Sequence, residues 1–129
     1  MKKFFTVVDL FSGAGGTSEG TRIACEENER KLELTAINHW NVAVETHSKM
    51  HPYARHFCKS IYDIKPSEAV PGGYLDLLCA SPECTYHSVA RGGGPCDEQS
   101  RCQANEVLKW AEEINISTIL IENVKEFVS

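Results

Sequence analysis

The chain has 129 residues, of which 13 are basic and 18 acidic, giving a net charge of −5; 42% of its residues are hydrophobic and 24% charged. That length suits one domain with a real core and excludes two comfortable ones. The acidic balance sets the isolated chain apart from proteins that grip duplex DNA through a basic face. No apolar run is long enough to cross a bilayer, so a membrane partner is not expected.

Met1-Lys2-Lys3 followed by Phe4-Phe5-Thr6-Val7-Val8 resembles the start of a signal peptide, but Asp9 ends the run early and no small-residue cleavage site follows. A buried first strand over Phe4–Leu10 is the better reading, and a cytoplasmic location goes with it. A glycine turn comes next, then a helix over 17–27 with Ser18 and Glu19 in its first turn. The chain continues with a strand over 32–37, a helix over Asn41–Met50 stopped before Pro52, and a short strand over Arg55–Cys58. Pro66, Pro71, Gly72 and Gly73 mark a turn-rich approach to a strand over 75–80. Residues 81–100 show no apolar period, and loops of that length are functional or mobile. A helix over 102–114 leads into a last strand over 118–121. Strands of buried type alternating with helices predict a parallel sheet of Rossmann-like, doubly wound α/β architecture.

Six cysteines in a chain without a secretory signal are expected to be reduced thiols. No Cys-x-x-Cys occurs. His47 and His51 stand four apart on a helix, but no acidic or thiol partner lies at ligand spacing, so no metal site is expected.

Three strand ends carry chemistry. Asp9-Leu10-Phe11-Ser12-Gly13-Ala14-Gly15-Gly16 takes the first strand into its helix, and its glycines let backbone amides approach a ligand closely. A third glycine at dinucleotide spacing is missing, so the turn favours an adenosine-containing ligand without identifying it. Ser81-Pro82-Glu83-Cys84-Thr85 places a thiol after the strand at 75–80. Glu122-Asn123-Val124 places a carboxylate after the last strand. Most cysteines are small core hydrophobes. A thiol, a carboxylate and a glycine turn at successive strand ends instead describe a catalytic cleft, because open α/β sheets bind ligands there.

These motifs, Asp9 to Gly16, Pro82-x-Cys84-x-x-x-Ser88 and Glu122-Asn123-Val124, resemble in order and spacing those of the DNA (cytosine-5-)-methyltransferases. The resemblance runs from Phe4 to Ser129. It implies a Rossmann-like methyltransferase fold, truncated after the fifth strand, and S-adenosylmethionine as cofactor. It also implies methyl transfer to C5 of cytosine in DNA through a covalent bond between Cys84 and C6. Cys84 would be the nucleophile and Glu122 the group that hydrogen-bonds the ring at N3. Cofactor contacts fall to Asp9, Phe11, Ser12, Gly13 and Gly15, to Asn38, His39 and Trp40, and to Ser60 and Ile61. Ser88, Arg91 and Asn123 are the substrate-side candidates, with Arg101 a further arginine able to reach a phosphate or base. The target base would swing out of the duplex, with the segment after Thr85 closing behind it.

This chain departs from the family pattern in four ways. Glu83 replaces a proline, and a carboxylate sharing a cavity with the thiol would raise its pKa. The acidic residue that meets the ribose is absent, its place taken by His39. Its counterpart at the adenine aligns with Ser60, with Asp63 a step away. Trp40 reads as the adenine contact or, nearly as well, as core. Last, the target-recognition domain and returning helix do not follow Ser129. Residues 1–129 therefore read as the cofactor-binding, nucleophile-bearing part of such an enzyme, inactive alone: a fragment, a truncated product, or one half of a split enzyme whose C-terminal half comes from another chain. Double-stranded DNA would be the partner of the whole enzyme, in a setting such as restriction-modification. The alternatives are a transfer-RNA cytosine methyltransferase, a non-catalytic S-adenosylmethionine-binding remnant, and a nucleotide-dependent oxidoreductase that the glycine spacing disfavours.

Overall fold

The computed structural model describes residues 3–13, 15–82 and 98–122, with backbone alone for 98–102. Five strands run through them: β1 (Phe4–Leu10), β2 (Lys31–Asn38), β3 (Arg55–Cys58), β4 (Tyr74–Ala80) and β5 (Asn115–Ile121). Four helices connect or follow these strands: α1 (Gly16–Glu27), α2 (Asn41–Met50), α3 (Pro66–Ala69) and α4 (Glu98–Glu113). The sheet order is β3-β2-β1-β4-β5, and every neighbouring pair is parallel.

The aromatic and β-branched run Phe4-Phe5-Thr6-Val7-Val8 explains why β1 is central, because such side chains pack well on both faces of a pleated strand. Successive residues point to opposite faces. Val8 and Leu10 join Ile37, Leu78 and Ala80 in the larger core, which Val107 and Trp110 of α4 and Ala69 of α3 close. Val7 joins Leu34 and Cys79 in a smaller cluster on the other face. Asp9, in phase with Val7, meets Ser18 of α1, so α1 and α2 lie on that side.

Helix α3 stands where the sequence suggests only turns. Pro66 at its first position needs no backbone N–H partner, and the Glu68 carboxylate accepts the Lys65 N–H at 3.3 Å. One turn of helix is too short for an apolar period to reveal it. Gly73, with φ of 74°, then turns the chain into β4, a conformation that glycine reaches without a Cβ clash.

The order of strands reverses direction between β1 and β4. A crevice opens at such a switch point, outside the carboxyl ends of the strands.

Candidate functional site

The turn after β1 is held by the neighbouring strand. Ser12 is 2% exposed, and its N–H donates to the Ile37 carbonyl at 3.1 Å. Phe11 adopts φ of 60°, a left-handed conformation that costs a non-glycine residue about 1–3 kcal/mol and is sustained only where the surroundings impose it. Gly15, with φ of 113°, caps α1, and its carbonyl accepts the first helical hydrogen bond from Glu19 N–H at 2.8 Å.

Asn38, at the end of β2, ties two turns together. Its Nδ2 donates to the Ser12 carbonyl, and its Oδ1 accepts the Trp40 N–H at 2.9 Å. The amide thus holds the β1–α1 turn and the β2–α2 turn at a common height. Trp40 is 59% exposed at the start of α2, so it is not a core residue.

A cavity of about 170 Å³ opens at these strand ends, lined by Leu10, Phe11, Ile37, Asn38, His39, Lys59, Ser60, Ile61, Tyr62 and Gln103. Five of the residues expected to meet a cofactor therefore share one hollow: Phe11, Asn38, His39, Ser60 and Ile61. Ser12, Gly13 and Gly15 are not among its lining residues; Ser12 and Gly15 are buried and Gly13 is exposed. Sequence reasoning missed Lys59 and Tyr62, although both flank Ser60-Ile61. It also missed Gln103, which α4 brings in from a distant part of the chain and which no motif marks. Asp63 is exposed and outside the hollow, its N–H donating to the Ser60 carbonyl at 2.9 Å.

Asp9 lies below the turn rather than in the hollow. It is 4% exposed, and its Oδ2 accepts the Ser18 hydroxyl at 2.8 Å. Burial pushes its carboxyl up to about 6, against the opposing pull of Ser18 and His51. The Ser18 oxygen also meets His47 Nε2 at 2.8 Å, and His47 Nδ1 meets His56 Nε2 at 2.8 Å. Burial, with His51 and His56 nearby, lowers His47 to about 4, so its ring is neutral. The donors then run one way when Asp9 is ionised: His56 to His47, His47 to Ser18, Ser18 to Asp9. Among the described residues no cluster of three or more His, Cys, Asp or Glu is set to hold a metal ion.

At the other end of the crevice, the Glu122 N–H donates to the Ala80 carbonyl at 3.0 Å and extends the β4–β5 pairing by one step. The Glu122 Oε2 accepts the Ser81 hydroxyl at 3.3 Å. The carboxylate thus stands exposed beside Ser81-Pro82, the residues leading to Cys84. Cys84, Ser88, Arg91 and Asn123 lie outside the described residues. Cys79 is 3% exposed, and burial, together with Asp9, pushes its thiol up to about 11, so at neutral pH it is a protonated core thiol.

A second hollow, of about 690 Å³, lies away from the strand-end motifs. Phe5, Leu77, Cys79 and Leu120 line it on the sheet, and Gly20, Thr21 and Ala24 on α1.

The family model described as C-5 cytosine-specific DNA methylase matches residues 5–129. The type II methyltransferase M.AgeI of Thalassovita gelatinovora is 31% identical over 128 residues, which is 95% of this chain and 28% of that protein. Among solved structures, a mutant DNMT2 of Spodoptera frugiperda superposes with a TM-score of 0.66 at 22% identity, covering 96% of this chain and 37% of that one. The plantazolicin methyltransferase BpumL, solved with SAH, gives a TM-score of 0.56 at 14% identity over 93% of this chain and 39% of its own. The chain thus has the fold of S-adenosylmethionine-dependent methyltransferases and spans little more than a quarter of its curated relative. By the match of the family model over nearly all of its length, it belongs to the C-5 cytosine-specific DNA methylase family.

Proposed function

We propose that residues 1–129 form the cofactor-binding and nucleophile-bearing part of an enzyme that methylates C5 of cytosine in double-stranded DNA. One observation carries this reading: the glycine turn, Asn38, the Ser81-Pro82 lead-in and Glu122 all stand at the carboxyl ends of parallel strands, on either side of the β1/β4 switch point.

The hollow suits the adenosine end of S-adenosylmethionine. Leu10, Phe11, Ile37 and Ile61 supply apolar walls, and Asn38, His39 and Ser60 supply polar groups. Its volume of about 170 Å³ accommodates part of such a ligand, since whole small-molecule sites run to about 300–1,000 Å³. The glycine turn would bring backbone amides to the remainder, with Ser12, Gly13 and Gly15 shaping the approach. Asp9 supports that turn from below. Trp40 stands next to the hollow, free to stack on an adenine edge.

When bound, S-adenosylmethionine supplies an electrophilic methyl group. The chain's own residues prepare the acceptor. The Cys84 thiolate adds to C6, and the electron pair displaced from the C5–C6 bond makes C5 nucleophilic. Glu122, held beside β4 by Ala80 and Ser81, acts as a carboxylic acid whose O–H donates to N3, which relieves the charge that develops in the ring. After methyl transfer a general base takes the C5 proton, the electron pair left behind restores the C5–C6 double bond, and the C6–S bond breaks to release the thiolate. In this scheme Cys84, two residues after Pro82, shares the crevice with the Glu122 carboxylate that Ser81 meets. Ser88, Arg91 and Asn123 are assigned to the substrate side, where they would meet the displaced strand.

The test is covalent trapping with a 5-fluorocytosine duplex, the chain being supplemented with the C-terminal part of a family relative. The expected result is an adduct that maps to Cys84, disappears in Cys84→Ser, and persists in Cys79→Ser. Cys84→Ser should hold S-adenosylhomocysteine within about twofold of the parent, because the thiol makes no cofactor contact in this scheme. An adduct surviving Cys84→Ser refutes the assignment of the nucleophile. Adducts formed only with RNA move the substrate to transfer RNA, and cofactor binding with no adduct to either substrate identifies a non-catalytic binding module.

A further inference from the structure

The ring of His51 sits directly beneath the glycine turn. His51 is 1% exposed and caps the C-terminus of α2, its N–H donating to the His47 carbonyl at 2.7 Å. Its Nε2 lies 3.2 Å from the Gly15 carbonyl oxygen. A carbonyl only accepts, so the proton is on Nε2. The other ring nitrogen, Nδ1, lies 2.7 Å from the Tyr53 hydroxyl. In the neutral ring Nδ1 is bare and accepts that hydroxyl, which selects the same tautomer from the opposite side. Burial and the nearby Glu19 carboxylate raise the Tyr53 hydroxyl pKa, which keeps it a donor. Glu19 itself is 3.9 Å from Nδ1, too far for a hydrogen bond, and is engaged by Arg22 at 2.6 Å.

We propose that His51 is a positioning residue for the cofactor: its Nε2–H, oriented by Tyr53, fixes the Gly15 carbonyl and with it the height of the glycine turn over the cofactor hollow. The inference rests on the reading of that turn as the S-adenosylmethionine site. The space beneath the turn supports it. A Cβ added at Gly15 would lie 2.8 Å from His51 Nε2, so ring and turn are in direct contact with nothing between them. A Cβ added at Gly13 or at Gly16 would meet nothing within 4 Å, so the two glycines flanking this contact border open space. The Gly15 carbonyl therefore has two donors, Glu19 N–H from within α1 and His51 Nε2–H from α2. The first only starts a helix. The second locks that helix start to a different element, and this fixes its position in the site.

The experiment pairs two substitutions with a measurement on the unliganded parent. His51→Leu keeps bulk without a donor, whereas His51→Gln places an amide N–H near the position of Nε2. Binding of S-adenosylhomocysteine by titration calorimetry should weaken about tenfold in His51→Leu, the worth of one hydrogen bond. In His51→Gln it should return to within about threefold of the parent. Long-range proton–nitrogen NMR of the unliganded parent, recorded where the ring is neutral, should show His51 protonated at Nε2 and bare at Nδ1. Unchanged binding in a folded His51→Leu overturns the inference, as does equal loss in both variants. The opposite tautomer overturns it as well, without any cofactor or any variant. If the parent fails to bind S-adenosylhomocysteine, the cofactor reading itself is refuted, and the tautomer then decides alone whether His51 holds the turn.

Discussion

Asp9 and His47 belong to one chain of hydrogen bonds that continues to His56, and they titrate in opposition. Asp9 is raised from 3.8 to about 6, so its contribution to stability is complete below pH 3.8 and is lost as pH rises through 6. His47 is lowered from 6.5 to about 4, so its contribution is complete above pH 6.5 and is lost as pH falls toward 4. Between pH 4 and 6 the two slopes oppose each other. Asp9→Asn keeps an oxygen for the Ser18 hydroxyl but removes one slope. Relative to the parent, this variant should gain about 2 kcal/mol of stability between pH 4.5 and 6.5, read from urea unfolding at the two values. Parallel pH profiles would mean that Asp9 titrates normally in the folded chain.

At the scale of elements, the site depends on turns being locked to one another. Asn38 does this for the turns after β1 and β2 with a single amide, giving a proton to Ser12 and accepting one from Trp40. Asn38→Ala should cost about 1–2 kcal/mol in denaturant unfolding, since one buried carbonyl loses a donor. It should also weaken S-adenosylhomocysteine by several-fold. Asn38→Asp should be no better than alanine, because a carboxylate cannot donate to the Ser12 carbonyl. Full stability in that variant would show that the Ser12 contact is dispensable. This double use of the amide also changes the reading of Asn38. It was expected to contact the cofactor, yet its first duty is to the backbone, although it also lines the hollow.

Across the whole molecule, the parallel sheet collects the motifs at one edge and leaves a different face open. Leu120 is 54% exposed, and it shares the hollow of about 690 Å³ with Phe5 and Leu77, beside β5 at the edge of the described sheet. Exposed apolar surface next to an unpaired strand invites association. Leu120→Lys should lower light scattering of the concentrated chain while changing stability by only about 0.5 kcal/mol, as surface substitutions do. Scattering that is unchanged would clear this face of blame for self-association.

Strand runs such as Phe4-Phe5-Thr6-Val7-Val8, the proline after Met50 and the glycines at 13, 15 and 16 were enough to read a parallel α/β sheet, because backbone preference and burial pattern are local properties. The strand-end motifs pointed to the family for the same reason: each is contiguous. What local patterns leave open is which side chains face one another. Asp9 and Asn38 both read as ligand contacts, but the structure turns Asp9 toward α1 and commits Asn38 to two turns. Gln103 enters the hollow only because α4 folds back over β1, and His51 meets Gly15 only because α2 packs beside α1. Those contacts join residues more than 30 positions apart, and their geometry exists only once the helices have docked on the sheet.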